Sequence, residues 1–117
     1  MTLPLPTEEA EQMAFVQWLR LKKIAHFRVP NETYTKSWNQ KRKNTALGVS
    51  SGVPDLFVIV NDQMCAVEMK RKKGGVVSDN QKIWLERLNE AGVKSAVCKG
   101  ADEAIEFIKS IKPRKEW

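Results

Sequence analysis

The chain has 117 residues, 42% of them hydrophobic and 29% charged, an ordinary composition for one globular domain with a single core. Its 20 Lys and Arg against 14 Asp and Glu leave a net charge of +6, a balance that favours a polyanionic partner. No apolar run approaches the roughly 20 residues that span a bilayer, and the first residues, "MTLPLPTEEAEQ", lack the basic and then apolar segments of a secretory leader. The two cysteines, Cys65 and Cys98, fall in apolar stretches, which speaks for reduced core thiols and against a disulfide framework or a zinc site. The expectation is a single domain over residues 1–117 of a soluble, cytoplasmic protein, with 113–117 as a tail.

In chain order, Thr7 caps a first helix whose opening turn carries Glu8 and Glu9, charges that suit the positive end of the helix dipole. Apolar Phe15, Val16, Trp18, Leu19 and Leu21 carry it at near-helical spacing to about Lys23. "IAHFRV" follows as a short strand that Pro30 stops. Residues 31–54 are poor in apolar side chains and rich in charge. An unstructured loop of that length is uncommon unless it is functional, and a short helix between Lys36 and Leu47 is expected within it. "DLFVIV" and "MCAVEM" read as two strands joined at Asn61-Asp62. "RKKGG" is a loop, and Ser78-Asp79-Asn80-Gln81 is a capping box that opens a helix ending near Gly92. "VKSAVC" is a further strand, and "ADEAIEFIKSI" a last helix closed by Pro113. The order α-β-β-β-α-β-α predicts an α/β fold, a mixed sheet flanked by helices.

Three charges interrupt the apolar hairpin: Asp55, Glu68 and Lys70. Glu68 and Lys70 are two apart on a strand and leave the same face. If Asn61-Asp62 is a two-residue turn, Val60 pairs with Gln63, and counting outward sets Asp55 opposite Glu68. A three-residue loop would set Asp55 opposite Met69, on the wrong face. Two carboxylates held that close repel unless a cation lies between them. A hard divalent ion such as Mg²⁺ takes few protein oxygens and leaves the rest to water or phosphate. Asp55 and Glu68 would hold such an ion, and Lys70 would orient or deprotonate water and stabilise charge on phosphate. That is phosphodiester hydrolysis.

Pro54-Asp55, twelve intervening residues, then Glu68-Met69-Lys70 matches the PD-(D/E)xK pattern of restriction-endonuclease-like nucleases. With Gly52 before it and Ser78-x-x-Gln81 after it, the stretch from the first helix to about Ile108 resembles the VRR-NUC family. The resemblance implies Asp55 and Glu68 as ligands of Mg²⁺ or Mn²⁺, Lys70 as the catalytic lysine, Gln81 near the reacting phosphate, and a glutamate from the first helix. Glu8 is the choice for that glutamate, because Gln12, Val16 and Leu19 continue its face; Glu11 is the rival. Asn31 matches an Asn often found after the first strand of the family. Short stand-alone members look like phage or bacterial proteins acting as dimers, which makes a homodimer that cuts branched DNA, a four-way Holliday junction foremost, the leading expectation. Cutting of flaps, nicks or duplex ends, and binding without catalysis, are the alternatives.

Basic clusters concentrate the charge around this motif: Lys36, Lys41, Arg42 and Lys43 in the long loop, and Arg71, Lys72 and Lys73 after Lys70. Together with Asn31 and Ser78 they are candidate nucleic-acid contacts. Trp38 would stack on a base or wedge at a branch, or else cover the core. His26 reads as structural. Nothing resembles a base-reading motif, and phosphate contacts carry no sequence information, so DNA shape is the expected specificity.

Overall fold

A computed structural model describes residues 4–30 and 37–113. Asn31 and Lys36 lie outside the described residues. The elements run α1 (Glu8–Leu21), β1 (Ala25–Arg28), α2 (Trp38–Ala46), β2 (Leu56–Val60), β3 (Gln63–Lys70), α3 (Asp79–Glu90), β4 (Lys94–Lys99) and α4 (Ala101–Lys109). This is the predicted order, with the loop helix present as α2. The strands form one sheet in the order β1-β2-β3-β4, antiparallel up to β3 and parallel between β3 and β4.

The hairpin register follows from its turn. Asn61 and Asp62 both adopt positive φ, 53° and 61°, as a type I′ turn requires and as Asn and Asp tolerate better than most residues. Val60 therefore pairs with Gln63 and Leu56 with Val67. One step further along the same register brings Asp55, just outside the ladder, opposite Glu68.

Alternation then sorts the side chains. Leu56 and Val58 on β2 and Cys65, Val67 and Met69 on β3 face one side, where they meet Phe15 and Leu19 of α1 and Ala104 and Ile108 of α4 in the core. Both thiols are buried here without a disulfide, and burial pushes Cys65 up to about 11 and Cys98 up to about 12. Ala66, Glu68 and Lys70 face the other side, which α3 covers from its place against β4. The sheet is thus flanked by helices on both faces.

Along α1 the buried row is Glu11, Phe15, Leu19, spaced by one helical turn. This corrects the phase expected from the sequence, in which Leu19 continued the face of Glu8. Glu11 spends its carboxylate inside the fold: Oε1 accepts a hydrogen bond from the Ala101 N–H at 3.3 Å. That N–H opens α4, whose N-cap is Gly100 with φ 95° and no side chain to cap with. A Cβ on Gly100 would stand 2.9 Å from Cγ of Lys72 and 3.0 Å from Oε2 of Glu11, so glycine is needed there for both conformation and space. Glu11 is the cap that Gly100 lacks. Glu11→Ala should lower stability by about 1–2 kcal/mol, the usual cost of losing a helix cap, seen as a lower denaturation midpoint at unchanged slope.

Candidate active site

The proposed reacting groups gather where β2 begins and β3 ends, between the N-termini of α1 and α3. β3 delivers Glu68 and Lys70, 2% and 8% exposed, and Lys70 Nζ lies 3.7 Å from Glu68 Oε1. Asp55 precedes β2, where its carbonyl accepts from the Val29 N–H at 2.9 Å and ties the end of β1 to the site. Glu8 and Asp55 line one cleft together with Gln12 and Arg28. Of the two first-helix glutamates, Glu8 is therefore in the cleft and Glu11 is under α4.

Gln81 takes the cap role and reaches Glu68 as well. Its Oε1 accepts from the Ser78 N–H at 2.9 Å, and the Ser78 Oγ accepts from the Gln81 N–H at 3.2 Å, which completes the capping box. Its Nε2 donates to Glu68 Oε1 at 2.6 Å. The amide thus locks the start of α3 to the buried carboxylate. Gly52 completes this side: at φ 89°, a Cβ there would fall 2.6 Å from the backbone carbon of Asn80. The loop before Asp55 consequently lies directly against the first turn of α3, and Asn80 Nδ2 donates to Ser51 Oγ at 3.2 Å.

The electrostatics follow from burial. Glu68 is pushed up to about 8, first by desolvation and then by the charge of Asp55, with Lys70 pulling the other way. Asp55 is raised by burial and by Glu8, and drawn back by Lys70 and Arg28. The Oε2 of Glu68 is buried without a hydrogen-bond partner, a costly arrangement for an ionised carboxylate. Such an oxygen takes either a proton or a cation. Among the described residues no three His, Cys, Asp or Glu side chains cluster as a metal cage. The donor set is the sparser kind, two neighbouring carboxylates, that suits a hard ion keeping several ligand positions for water or phosphate.

The predicted nucleic-acid residues divide. Arg71, Lys72 and Lys73 follow β3 on an exposed loop beside the site, with the Lys72 stem lying across Gly100. Ser78 is engaged in the cap of α3. Lys41, Arg42 and Lys43 lie on α2, which buries no residue. Trp38 is 74% exposed and stacks under the Lys41 ammonium, 5.3 Å from the ring centre, so it does not cover the core. Arg28 was absent from the sequence prediction. Its place beside Asp55 depends on the β1–β2 register, in which Arg28 pairs with Leu56, and the long connection between those strands hides that register from the sequence.

A four-stranded mixed sheet with an acidic pair and a lysine at the end of its central hairpin, clasped by two helix N-termini, is the core of a PD-(D/E)xK nuclease fold. The VRR-NUC domain profile matches residues 6–102, most of the chain, and the protein belongs to the VRR-NUC family, whose members process DNA as nucleases. A solved structure described as a VRR_NUC domain protein superimposes with a TM-score of 0.76 at 23% identity, over 92% of this chain and 88% of that one; at that identity it speaks for the fold alone. No curated protein matches the sequence. No helix among the described residues is long and apolar enough to cross a membrane.

Proposed function

We propose that the protein is a divalent-cation-dependent, structure-specific DNA endonuclease that acts as a homodimer on four-way junctions. The observation that carries the catalytic part is the Oε2 of Glu68, buried without a hydrogen-bond partner, on a carboxylate that feels the charge of Asp55. Two carboxylates in this setting are poised for a cation, and Asp55 and Glu68 would hold Mg²⁺ or Mn²⁺. Bound there, the ion would supply Lewis acidity toward the phosphate and make water more acidic.

The chain's own groups do the remainder. Gln81 fixes the Glu68 carboxylate through its amide at Oε1, which leaves Oε2 without a hydrogen-bond partner. Lys70 carries a positive charge into a poorly solvated place, where it stabilises the extra negative charge of a phosphate under attack. Glu8, at the mouth of the cleft with Asp55, accepts or relays a proton from water. The exposed Arg71–Lys73 loop holds the flanking backbone.

The dimer has separate support. The sheet face opposite the core carries Phe27, Ile59 and Met64, each 40–45% exposed, with Phe27 stacked on Phe57 at 5.3 Å. Apolar surface of this kind is what homodimers bury, and two related sites suit a substrate needing two matched nicks. A panel of junction, flap, nicked and linear DNAs with Mg²⁺ or Mn²⁺, run beside a solution mass measurement, tests both parts. Paired symmetric cuts confined to the junction, from a particle of twice the chain mass, are the expected result. Preferential cutting of flaps would sink the junction assignment, and no cutting with any metal would leave a DNA-binding module of the same fold.

A further inference from the structure

We propose that the groove between α1 and β1 holds the backbone of the DNA strand leading away from the reacting phosphate, with Arg28 and Arg20 as its phosphate contacts. The proposal rests on the nuclease reading above and extends it to a surface outside the reacting cluster.

β1 is an edge strand, and its register fixes what it shows to α1. His26 pairs with Val58 and Arg28 with Leu56, both core-facing, so His26 and Arg28 lie on the α1 side of the sheet. Facing them, α1 presents Gln12 and Val16 and then Gln17 and Arg20, neighbours at helical spacing. The resulting groove encloses about 490 Å³. It shares Gln12, Met13 and Arg28 with the cleft that contains Glu8 and Asp55. One channel therefore runs from the candidate catalytic carboxylates along the first helix.

The channel changes sign along its length. At the catalytic end it is acidic. Beyond Arg28 none of the described lining residues is acidic, and two guanidinium groups face the space with the amides of Gln12 and Gln17. His26 Nδ1 lies 2.9 Å from the Ile24 carbonyl. A carbonyl only accepts, so Nδ1 donates this bond, and His26 lines the groove. Arginine forks matched by neutral amides suit phosphate oxygens. Arg28 also marks the junction between the two parts, because its charge acts on Asp55. From Glu8 to Arg20 the helix rises about 18 Å at 1.5 Å per residue, long enough to follow several phosphates of one strand.

Arg28→Gln and Arg20→Gln, both at exposed positions, test the assignment in the full-length protein. Binding to a labelled four-way junction is followed by anisotropy across a salt series with divalent ions chelated, so that no cleavage enters the reading. Each substitution should weaken binding and reduce the slope of log affinity against log salt by about 0.9, one duplex phosphate contact. Lys94→Gln, at the far end of β4, should leave the slope unchanged. Neutral methylphosphonates placed one at a time along the strand leading away from the cleavage site should include a position that weakens the unaltered protein but not Arg20→Gln. Unchanged affinity and slope in both arginine variants, with firm binding by the unaltered protein, would overturn the groove alone. Failure of the unaltered protein to bind any DNA would overturn the nuclease reading and the groove with it.

Discussion

Replacing Lys70 by methionine should abolish strand cleavage while DNA binding persists. The Lys70 stem is packed: a Cβ on neighbouring Gly75 would come within 3.1 Å of the Lys70 Cβ. Methionine retains that packing and removes the charge, so folding is preserved and the ammonium alone is tested. The loss should be at least about 10²–10³-fold in rate, the effect of deleting one preorganised electrostatic group from an active site. Lys70→Ala should be equally inactive and somewhat less stable. Affinity for a junction, measured with divalent ions chelated, should stay within a few-fold of the unaltered protein, because the exposed cations of the flanking loop remain. Cutting by Lys70→Met at more than a tenth of the normal rate would contradict the role given to this residue.

The second large effect is the dependence of stability on pH and divalent ions. The Glu68 carboxyl is raised to about 8 in the fold and returns to the ordinary range, about 4.3, in the unfolded chain. Between those values the native state binds more protons than the unfolded state, so stability falls as pH rises. The contribution is complete below about pH 4 and is lost by the time pH passes about 8, in total on the order of 5 kcal/mol. Glu68→Gln removes the titration while keeping a hydrogen-bonding partner for Gln81, and should flatten the profile over that window. Mn²⁺ should act in the opposite sense on the unaltered protein, raising its melting temperature more at pH 8 than at pH 5, because the ion competes with the proton for Oε2. A pH profile unaffected by Glu68→Gln would remove the electrostatic account of the site.

Much of this site was legible from the sequence because its physics is local. A turn pair able to hold positive φ, an alternating hairpin and the two-residue spacing of Glu68 and Lys70 suffice to bring three charges onto one face. Gln81 was legible as a cap, and its side chain proved long enough to bond the Ser78 N–H and the carboxylate together. The division between Glu8 and Glu11 was harder, because three glutamates crowd one helical turn and a small error in phase exchanges their surroundings. What separates them is Ala101, ninety residues from Glu11, whose N–H needs a cap that Gly100 cannot supply. Arg28 was illegible for a similar reason. Its nearness to Asp55 comes from a strand pairing across the whole basic connection, whose sequence does not give the register. The residues whose roles depend on long-range pairing, Glu11 and Arg28, are those that required the fold.

The central claim is that Asp55 and Glu68 hold the ion that makes this hairpin end a hydrolytic site. The most direct test is cleavage of an end-labelled four-way junction across a Mg²⁺ titration, with the unaltered protein and Asp55→Asn side by side. The account predicts paired nicks that rise with Mg²⁺ for the unaltered protein and none for Asp55→Asn at any concentration. Cutting in the presence of chelator, or equal cutting by Asp55→Asn, would contradict it.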